Sequence, residues 1–254
     1  MLWKLLKYDF RSMGKSFAFI WPAALVLALI NHFTLPYDEG VVEGSELLAV
    51  ITAVAFAAVL FAMFVAVMIF VIQRFYKGLL GDEGYLMHTL PVKPGQLVLS
   101  KLICAVVTSL VSLTVAFFAC LLMVPIQWGQ VLRITFFQDL WQGFWSNPEA
   151  FAYLLECVLI MVIGLALIVS MAYLSMAVGH LFRRRILMSV AAFIGLDILG
   201  TVYLNLLNEL NLWNHAFYAS AHAAFLGLSL SMLVPCVLFV LGSVWILGHR
   251  LNLE

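Results

Sequence analysis

Charged side chains are scarce in this sequence. Only 10% of its 254 residues are Asp, Glu, Lys or Arg, against about 25% in a typical soluble domain. Lys plus Arg and Asp plus Glu number 13 each, so no net positive charge is available to neutralise phosphates. This composition excludes an ordinary water-soluble domain and gives no electrostatic basis for a nucleic-acid partner.

Motifs for metals, disulfides and nucleotides are also missing. The four cysteines fall within apolar blocks, without a CxxC pair or a histidine at ligand spacing, and we interpret them as small hydrophobic residues. Gly14, Lys15 and Ser16 look like the end of a phosphate-binding loop, but Asp9 occupies the position of its first glycine. We therefore expect this chain itself to bind no cofactor, metal or nucleotide.

The sequence also lacks the patterns of an intramembrane enzyme. His32, His88 and His180 fall near the ends of apolar blocks or in loops, and no HExxH, GxSxG or paired-acid motif accompanies them. We expect a protein that is not an enzyme.

Long hydrophobic blocks are abundant instead. Hydrophobic residues make up 65% of the chain. Six blocks approach or exceed the length of about 20 residues that a helix needs to cross a bilayer. They cover residues 17–33, 47–72, 97–126, 151–176, 186–206 and 225–247. No alternating segments indicate a membrane barrel. The sequence therefore predicts an all-α, multi-pass membrane protein with six transmembrane helices in a single transmembrane domain, 1–254.

Basic residues mark one side of the predicted bundle. Lys and Arg accumulate in short cytoplasmic loops, and here they concentrate in the N-terminal segment and in the second and fourth loops. They are Lys4, Lys7, Arg11, Lys15, Arg74, Lys77, Lys93, Lys101, Arg183, Arg184 and Arg185. Acidic residues fill the first loop on the opposite side. This distribution predicts that both termini are cytoplasmic.

The N-terminal segment, 1–16, predicts an amphipathic helix. Its basic residues recur at helical spacing, and apolar residues occupy much of the remaining surface. We expect this helix to lie on the inner membrane surface, with Trp3 near the headgroups. A secretory signal peptide is the alternative for the first apolar block, but no small-x-small cleavage site follows it.

Two features inside the predicted spans each have two interpretations. Ala58, Ala62 and Ala66 repeat every four residues, which permits close helix packing within the chain or at a seam with a second subunit. Asp197 in the fifth block and Glu156 near the outer end of the fourth are ionisable groups at membrane depth. Each acid belongs either to a proton or ion pathway or to a set of polar groups satisfied by neighbouring helices.

The connection 73–96 is the most polar stretch of the chain. Gly81 and Gly84 bracket Asp82 and Glu83, and a short aromatic and apolar run follows before Pro91. These residues predict a short surface helix flanked by turns. Such an element can transmit force from a cytoplasmic partner to the spans; the alternative is a solvated loop that only sets topology.

At this connection the sequence resembles a known family. An arginine leaving the second span, then GDEGYLMHTLP, then QLVLSKL opening the third span, is similar to the permease subunits of ABC-2 type transporters, especially small bacterial ones of Gram-positive lineages. The basic amphipathic start and the six-span layout are similar as well. The resemblance is carried mainly by Arg74, Gly81, Glu83, Gly84, Tyr85, Leu86, Thr89, Leu90, Pro91, Ser100 and Lys101.

The resemblance implies partners for this chain. The connection 73–96 would be a coupling helix that docks into a separate cytoplasmic ATPase subunit, which holds the ATP and Mg. The implied docking residues are Arg74, Lys77, Asp82, Glu83, Tyr85, Leu86, His88 and Pro91. The resemblance also implies a homodimer, or a dimer with a related permease, in the bacterial cell membrane. In such a dimer the transport pathway lies between the two permeases. We expect four residues along this pathway or at the seam between the subunits: Ala58, Ala62, Ala66 and Asp197.

The function implied is ATP-driven export of a hydrophobic or amphipathic compound, such as an antimicrobial peptide or a drug. An ion-coupled secondary transporter that uses Asp197 and Glu156 is the alternative. That class often shows inverted repeats and broken helices near the midplane, which are not clear in this sequence.

Overall fold

The computed structural model describes residues 2–34, 45–80, 94–123, 138, 141–143, 145–210 and 220–249. Within these ranges the long elements are all helices and no strand occurs, so the predicted all-α class is confirmed for the described part of the chain. The helices are α1 (Leu2–Phe17), α2 (Ile20–Thr34), α3 (Ser45–Phe75), α4 (Pro94–Met123), α5 (Pro148–His180), α6 (Arg185–Glu209) and α7 (Ala221–His249). A π-helical turn, Tyr76–Leu80, continues α3.

In the described part of the chain, five helices are long and apolar enough to cross a membrane: α3 with its π turn, α4, α5, α6 and α7. The shortest of them has 25 residues, or about 37 Å at the helical rise, which exceeds a hydrocarbon core of about 30 Å. This is the property of a multi-pass membrane protein. Helix α2, in the first predicted span, has 15 residues, or about 22 Å. Six spans and the orientation of the termini stay predictions.

The chain divides into two compact units. The α5 unit comprises Met1–Leu6, Val71–Val106 and Pro148–Glu254. The α2 unit comprises Lys7–Phe70 and Val107–Asn147.

In the α5 unit, α5 packs against both α6 and α7, and it also contacts the π turn. Small residues bring these helices close together. A Cβ on Gly242 of α7 would lie 3.1 Å from a Leu174 methyl group of α5, and one on Gly179 would overlap the backbone of Ser189 in α6. Close approach at small residues is the usual way in which helices associate in membranes, where no hydrophobic effect drives them together.

Buried hydroxyls of the α5 unit do not remain as unsatisfied donors. Ser170, Ser175 and Ser243 each donate to a carbonyl of their own helix three or four residues earlier, at 2.8–2.9 Å. A hydroxyl without such an acceptor would cost free energy in an apolar environment. These serines therefore serve as small residues in the helix contacts.

The α2 unit has its own apolar core, in which Ala28, Phe56 and Ala119 are buried together. Polar side chains connect its helices. The Trp21 indole N–H donates to the Ser112 hydroxyl at 3.0 Å. In the same unit the Asn31 amide donates to the Leu27 and Thr52 carbonyls, each at 3.0 Å.

The predicted N-terminal helix, 1–16, is present as α1. In the α5 unit, the Cys104 thiol lies 4.0 Å from the Leu6 carbonyl. In the α2 unit, the Thr108 hydroxyl donates to the Met13 sulfur at 3.3 Å. Trp3 is 77% exposed, as a residue at the headgroup level would be, while the location of α1 on the inner membrane surface stays a prediction.

Candidate functional site

The structure describes two of the predicted docking residues. Arg74 lies in the last turn of α3 and Lys77 in the π turn, so the connection predicted for 73–96 is helical up to Leu80 and again from Pro94. Lys77 is exposed and Arg74 is half-buried. The other predicted docking residues lie outside the described residues: Asp82, Glu83, Tyr85, Leu86, His88 and Pro91.

One tyrosine of α5 contacts the helices on both sides of residues 81–93. The Tyr173 ring stacks on Phe75 of α3, with centroids 4.0 Å apart. Its hydroxyl donates to the Lys101 carbonyl of α4 at 3.2 Å. We call Phe75, Lys101 and Tyr173 the Tyr173 anchor. All three residues are at most 2% exposed, which excludes water from competing for the hydrogen bond.

Packing also holds the π turn to α5. The π turn contacts α5, and its residues Gly78, Leu79 and Leu80 are buried. Leu79 in the π turn and Leu97 and Val98 in α4 are at most 1% exposed. A displacement of residues 81–93 would therefore act on helices that are packed against α5, since close-packed interiors transmit strain.

Sequence reasoning missed the Tyr173 anchor. Tyr173 lies 72 residues from its acceptor Lys101, and an aromatic residue within an apolar block gives no signal of a distant partner. Lys101 was expected to be one of the charges that set topology, but the structure buries it beside Gly78, where a Cβ would lie 3.4 Å from the Lys101 side chain.

The alanine stripe of α3 is not covered by the described residues of this chain. Ala58 and Ala62 are exposed and Ala66 is partly buried. Helix α3 instead buries a face that includes Phe56 and Met63. This leaves a row of small residues along an apolar helix where a second helix could approach closely.

The structure joins Glu156 to a histidine on another helix. The Glu156 carboxylate lies 2.8 Å from Nδ1 of His222, and the His222 ring stacks on Tyr153 with centroids 4.3 Å apart. The second carboxylate oxygen of Glu156 is buried without a hydrogen-bond partner among the described residues. In this part of the chain, no third His, Cys, Asp or Glu completes a metal site. Glu156 and His222 are 66 residues apart, so spacing gave no signal for the pair.

Asp197 lies elsewhere, on α6, where it lines a groove formed by α5, α6 and α7. Leu167 is the groove residue nearest to Glu156 along α5. Eleven residues separate the two, which is about 16 Å along a helix. The two acids named together from the sequence are therefore not brought into one site.

Similarity to known proteins adds nothing to these observations. No family model, curated protein or solved structure matches this chain.

Proposed function

We propose that this chain is the membrane-spanning permease subunit of an ATP-driven exporter of the ABC-2 type. A separate ATPase subunit binds ATP and Mg, and the permease couples hydrolysis there to export of a hydrophobic or amphipathic compound across the bacterial cell membrane. Five membrane-capable helices and the resemblance of residues 74–101 to such permeases support this function.

The Tyr173 anchor is the observation that carries the proposal. An element that passes force from an ATPase to the membrane must be attached to the spanning helices at both of its ends. Phe75 and Lys101 lie on either side of residues 81–93, and both contact Tyr173 of α5. A loop that only set topology would not need two buried attachments of this kind.

The exposed alanine stripe supports a second permease subunit. Ala58 and Ala62 permit close approach of a helix, and nothing in the described part of this chain covers them. We propose that α3 faces the partner permease, identical or related, along this stripe.

Affinity purification from native membranes in a mild detergent tests the proposal. The expected result is a soluble chain with a Walker A motif in amounts comparable to the permease. Glu83→Lys should remove it, because reversal of a charge at a protein interface is unfavourable. Glu149→Lys is the matched control, since Glu149 is an exposed acid in the first turn of α5. Purification of a folded chain that carries no ATPase would contradict the proposal.

The pair of Glu156 and His222 supports a second candidate, an ion-coupled secondary transporter. Proton relays in transporters use Asp, Glu and His side chains inside spanning segments, and this pair joins α5 and α7 at 2.8 Å. Asp197 is the second acid of this hypothesis. Solute movement by the purified chain in liposomes, without ATP and driven by a proton gradient, would favour this candidate over the exporter.

A further inference from the structure

A groove of about 200 Å³ lies between helices α5, α6 and α7. Side chains from all three helices line it, and most of them are apolar. Its apolar residues include Leu167, Met171, Leu196, Leu204, Met232 and Phe239. We call it the α5–α6–α7 groove.

Pro235 and Gly200 help to give the groove its shape. Proline has no backbone N–H, so the Ser231 carbonyl, four residues earlier in α7, loses its helical donor. The Tyr203 hydroxyl of α6 donates to that carbonyl at 3.2 Å, which satisfies it and links α6 to α7. Gly200 leaves space on the α6 wall, because a Cβ there would meet nothing within 4 Å.

Among the described residues that line the groove, Asp197 alone carries a charge. The residue is exposed, and its carboxylate has no hydrogen bond or ion pair with the residues that the structure describes. The two hydroxyls nearest to Asp197 in sequence donate to backbone carbonyls instead. The Thr201 hydroxyl donates to the Asp197 carbonyl, and the Tyr203 hydroxyl donates to the Ser231 carbonyl. A carboxylate at membrane depth without a partner is costly, so a cationic group is the missing complement.

We propose that the α5–α6–α7 groove binds an amphipathic organic cation. Its ring or branched alkyl group fills the apolar part, and its positively charged nitrogen lies against the Asp197 carboxylate. An apolar cavity of about 150 Å³ holds a benzene molecule, so the groove accommodates one ring with a small ammonium group. Binding to this chain does not require the ATPase, whereas the role of such a cation as the exported substrate rests on the proposed function.

Other ligand classes fit the groove less well. A hydrated metal ion needs about six oxygen ligands, and the lining offers one carboxylate and hydroxyls that already donate to the backbone. An anionic amphiphile would be repelled by Asp197. A neutral ligand would leave the carboxylate without a partner.

Equilibrium dialysis of the purified full chain in phosphatidylcholine nanodiscs tests the proposal, with empty nanodiscs as the background. The probe is benzyltrimethylammonium, a permanent cation with one ring, and neopentylbenzene is its neutral isostere. We expect saturable binding of the cation. Asp197→Asn should weaken it by about tenfold, because it removes the attraction between two opposite charges, and a loss of about 1.4 kcal/mol is a factor of ten. The control Glu209→Gln removes an exposed charge from the end of α6 and should change nothing.

A second pair of variants tests the location of the site. Gly200→Leu should fill the groove and abolish saturable binding of the cation. Gly195→Leu is its control on the same helix, because a Cβ at Gly195 also meets nothing within 4 Å and Gly195 does not line the groove. Both substitutions favour helix formation, so loss of folding should not explain a difference between them.

Three results would overturn the proposal. The first is that Asp197→Asn binds the cation as tightly as the wild type does. The second is that the neutral isostere binds saturably and equally well. The third is that Asp197→Asn dissociates a dimer of the chain without affecting the cation, which would assign the groove to contact with a second copy. Co-purification of the ATPase is measured separately, so failure here leaves the proposed exporter function standing.

Discussion

The aromatic ring of Tyr173 lies nearly parallel to that of Phe75, at an interplanar angle of 15°, while the Tyr173 hydroxyl donates to the Lys101 carbonyl. One side chain of α5 therefore attaches the C-terminal end of α3 and the N-terminal part of α4. An aromatic pair adds about 0.5–1.5 kcal/mol to the energy of burial, and a neutral hydrogen bond adds a similar amount.

The two parts of the Tyr173 anchor can be separated by substitution. Tyr173→Phe keeps the stack and removes the hydrogen bond, and we expect it to lower the free energy of unfolding by about 1 kcal/mol. Tyr173→Ala removes both and leaves a cavity, with an expected loss of about 3–5 kcal/mol. Unfolding in detergent measures both. Tyr153→Phe is the control, because its ring stacks on His222 without a hydrogen bond of its hydroxyl among the described residues. Equal stability of Tyr173→Phe and the wild type would mean that the hydroxyl contributes nothing.

Attachment also has a functional consequence if the chain is an exporter subunit. Tyr173→Phe releases the α4 side of the anchor and Phe75→Ala releases the α3 side, so each should reduce the coupling between ATP hydrolysis and transport. The measurement is ATP hydrolysed per substrate exported, in proteoliposomes that contain both subunits. An unchanged ratio for Phe75→Ala, in a folded complex, would assign the anchor to stability alone.

The sequence allowed prediction of the helices but not of their partners. Apolar blocks of spanning length define α3 to α7 because backbone groups in lipid must be satisfied within a helix. The helix itself continues beyond the predicted second span, 47–72, because α3 ends at Phe75 and its π turn at Leu80, and Phe75, Gly78, Leu79 and Leu80 are buried. Periodicity gives no signal for this extension, because its burial comes from tertiary packing against α5.

Site residues that depend on distant contacts were found only in part. Glu156 was recognised as an acid at membrane depth, but its partner His222 belongs to another helix. Asp197 was recognised for the same reason, and its place in a groove depends on Pro235 and Gly200 of two different helices. The sequence shows that Asp197 is a charged residue within an apolar block. Its surroundings become known only from the packing of α5, α6 and α7.

The contact between the end of α5 and α6 should tolerate no side chain at Gly179. A Cβ there would overlap backbone atoms of Ser189, which cannot move aside like a flexible side chain. Gly179→Ala should therefore lower the free energy of unfolding by about 1–3 kcal/mol, the usual cost of overpacking. Gly164→Ala is the matched control in α5, because its Cβ would meet nothing within 4 Å. This control should be neutral or stabilising by up to about 1 kcal/mol, since alanine favours the helix. The same effect for both variants would contradict the close approach of α5 and α6.

The contact between Glu156 and His222 should be measurable as a coupling energy. Glu156→Gln and His222→Phe each weaken the pair, and the phenylalanine keeps the stack on Tyr153. In a double-mutant cycle of unfolding in nanodiscs, we expect a coupling of about 0.6–1.7 kcal/mol, the range for polar contacts between membrane helices. Glu149→Gln combined with His222→Phe is the control cycle and should show no coupling. A value near zero for the first cycle would mean that the 2.8 Å contact does not stabilise the packing of α5 on α7.

The effect of Tyr203→Phe on stability should depend on Pro235 of α7. Pro235 leaves the Ser231 carbonyl without its helical donor, and the Tyr203 hydroxyl supplies one at 3.2 Å. In the wild type, Tyr203→Phe should lower the free energy of unfolding by about 1 kcal/mol, because it leaves a carbonyl in an apolar environment without a donor. In a Pro235→Ala background the restored backbone N–H bonds to Ser231, so the same substitution should cost much less. Four unfolding measurements, on the wild type, the two single variants and the double variant, give the difference directly. Equal costs of Tyr203→Phe in both backgrounds would show that the tyrosine does not replace the missing helical bond, and that the α6–α7 link beside Asp197 has another origin.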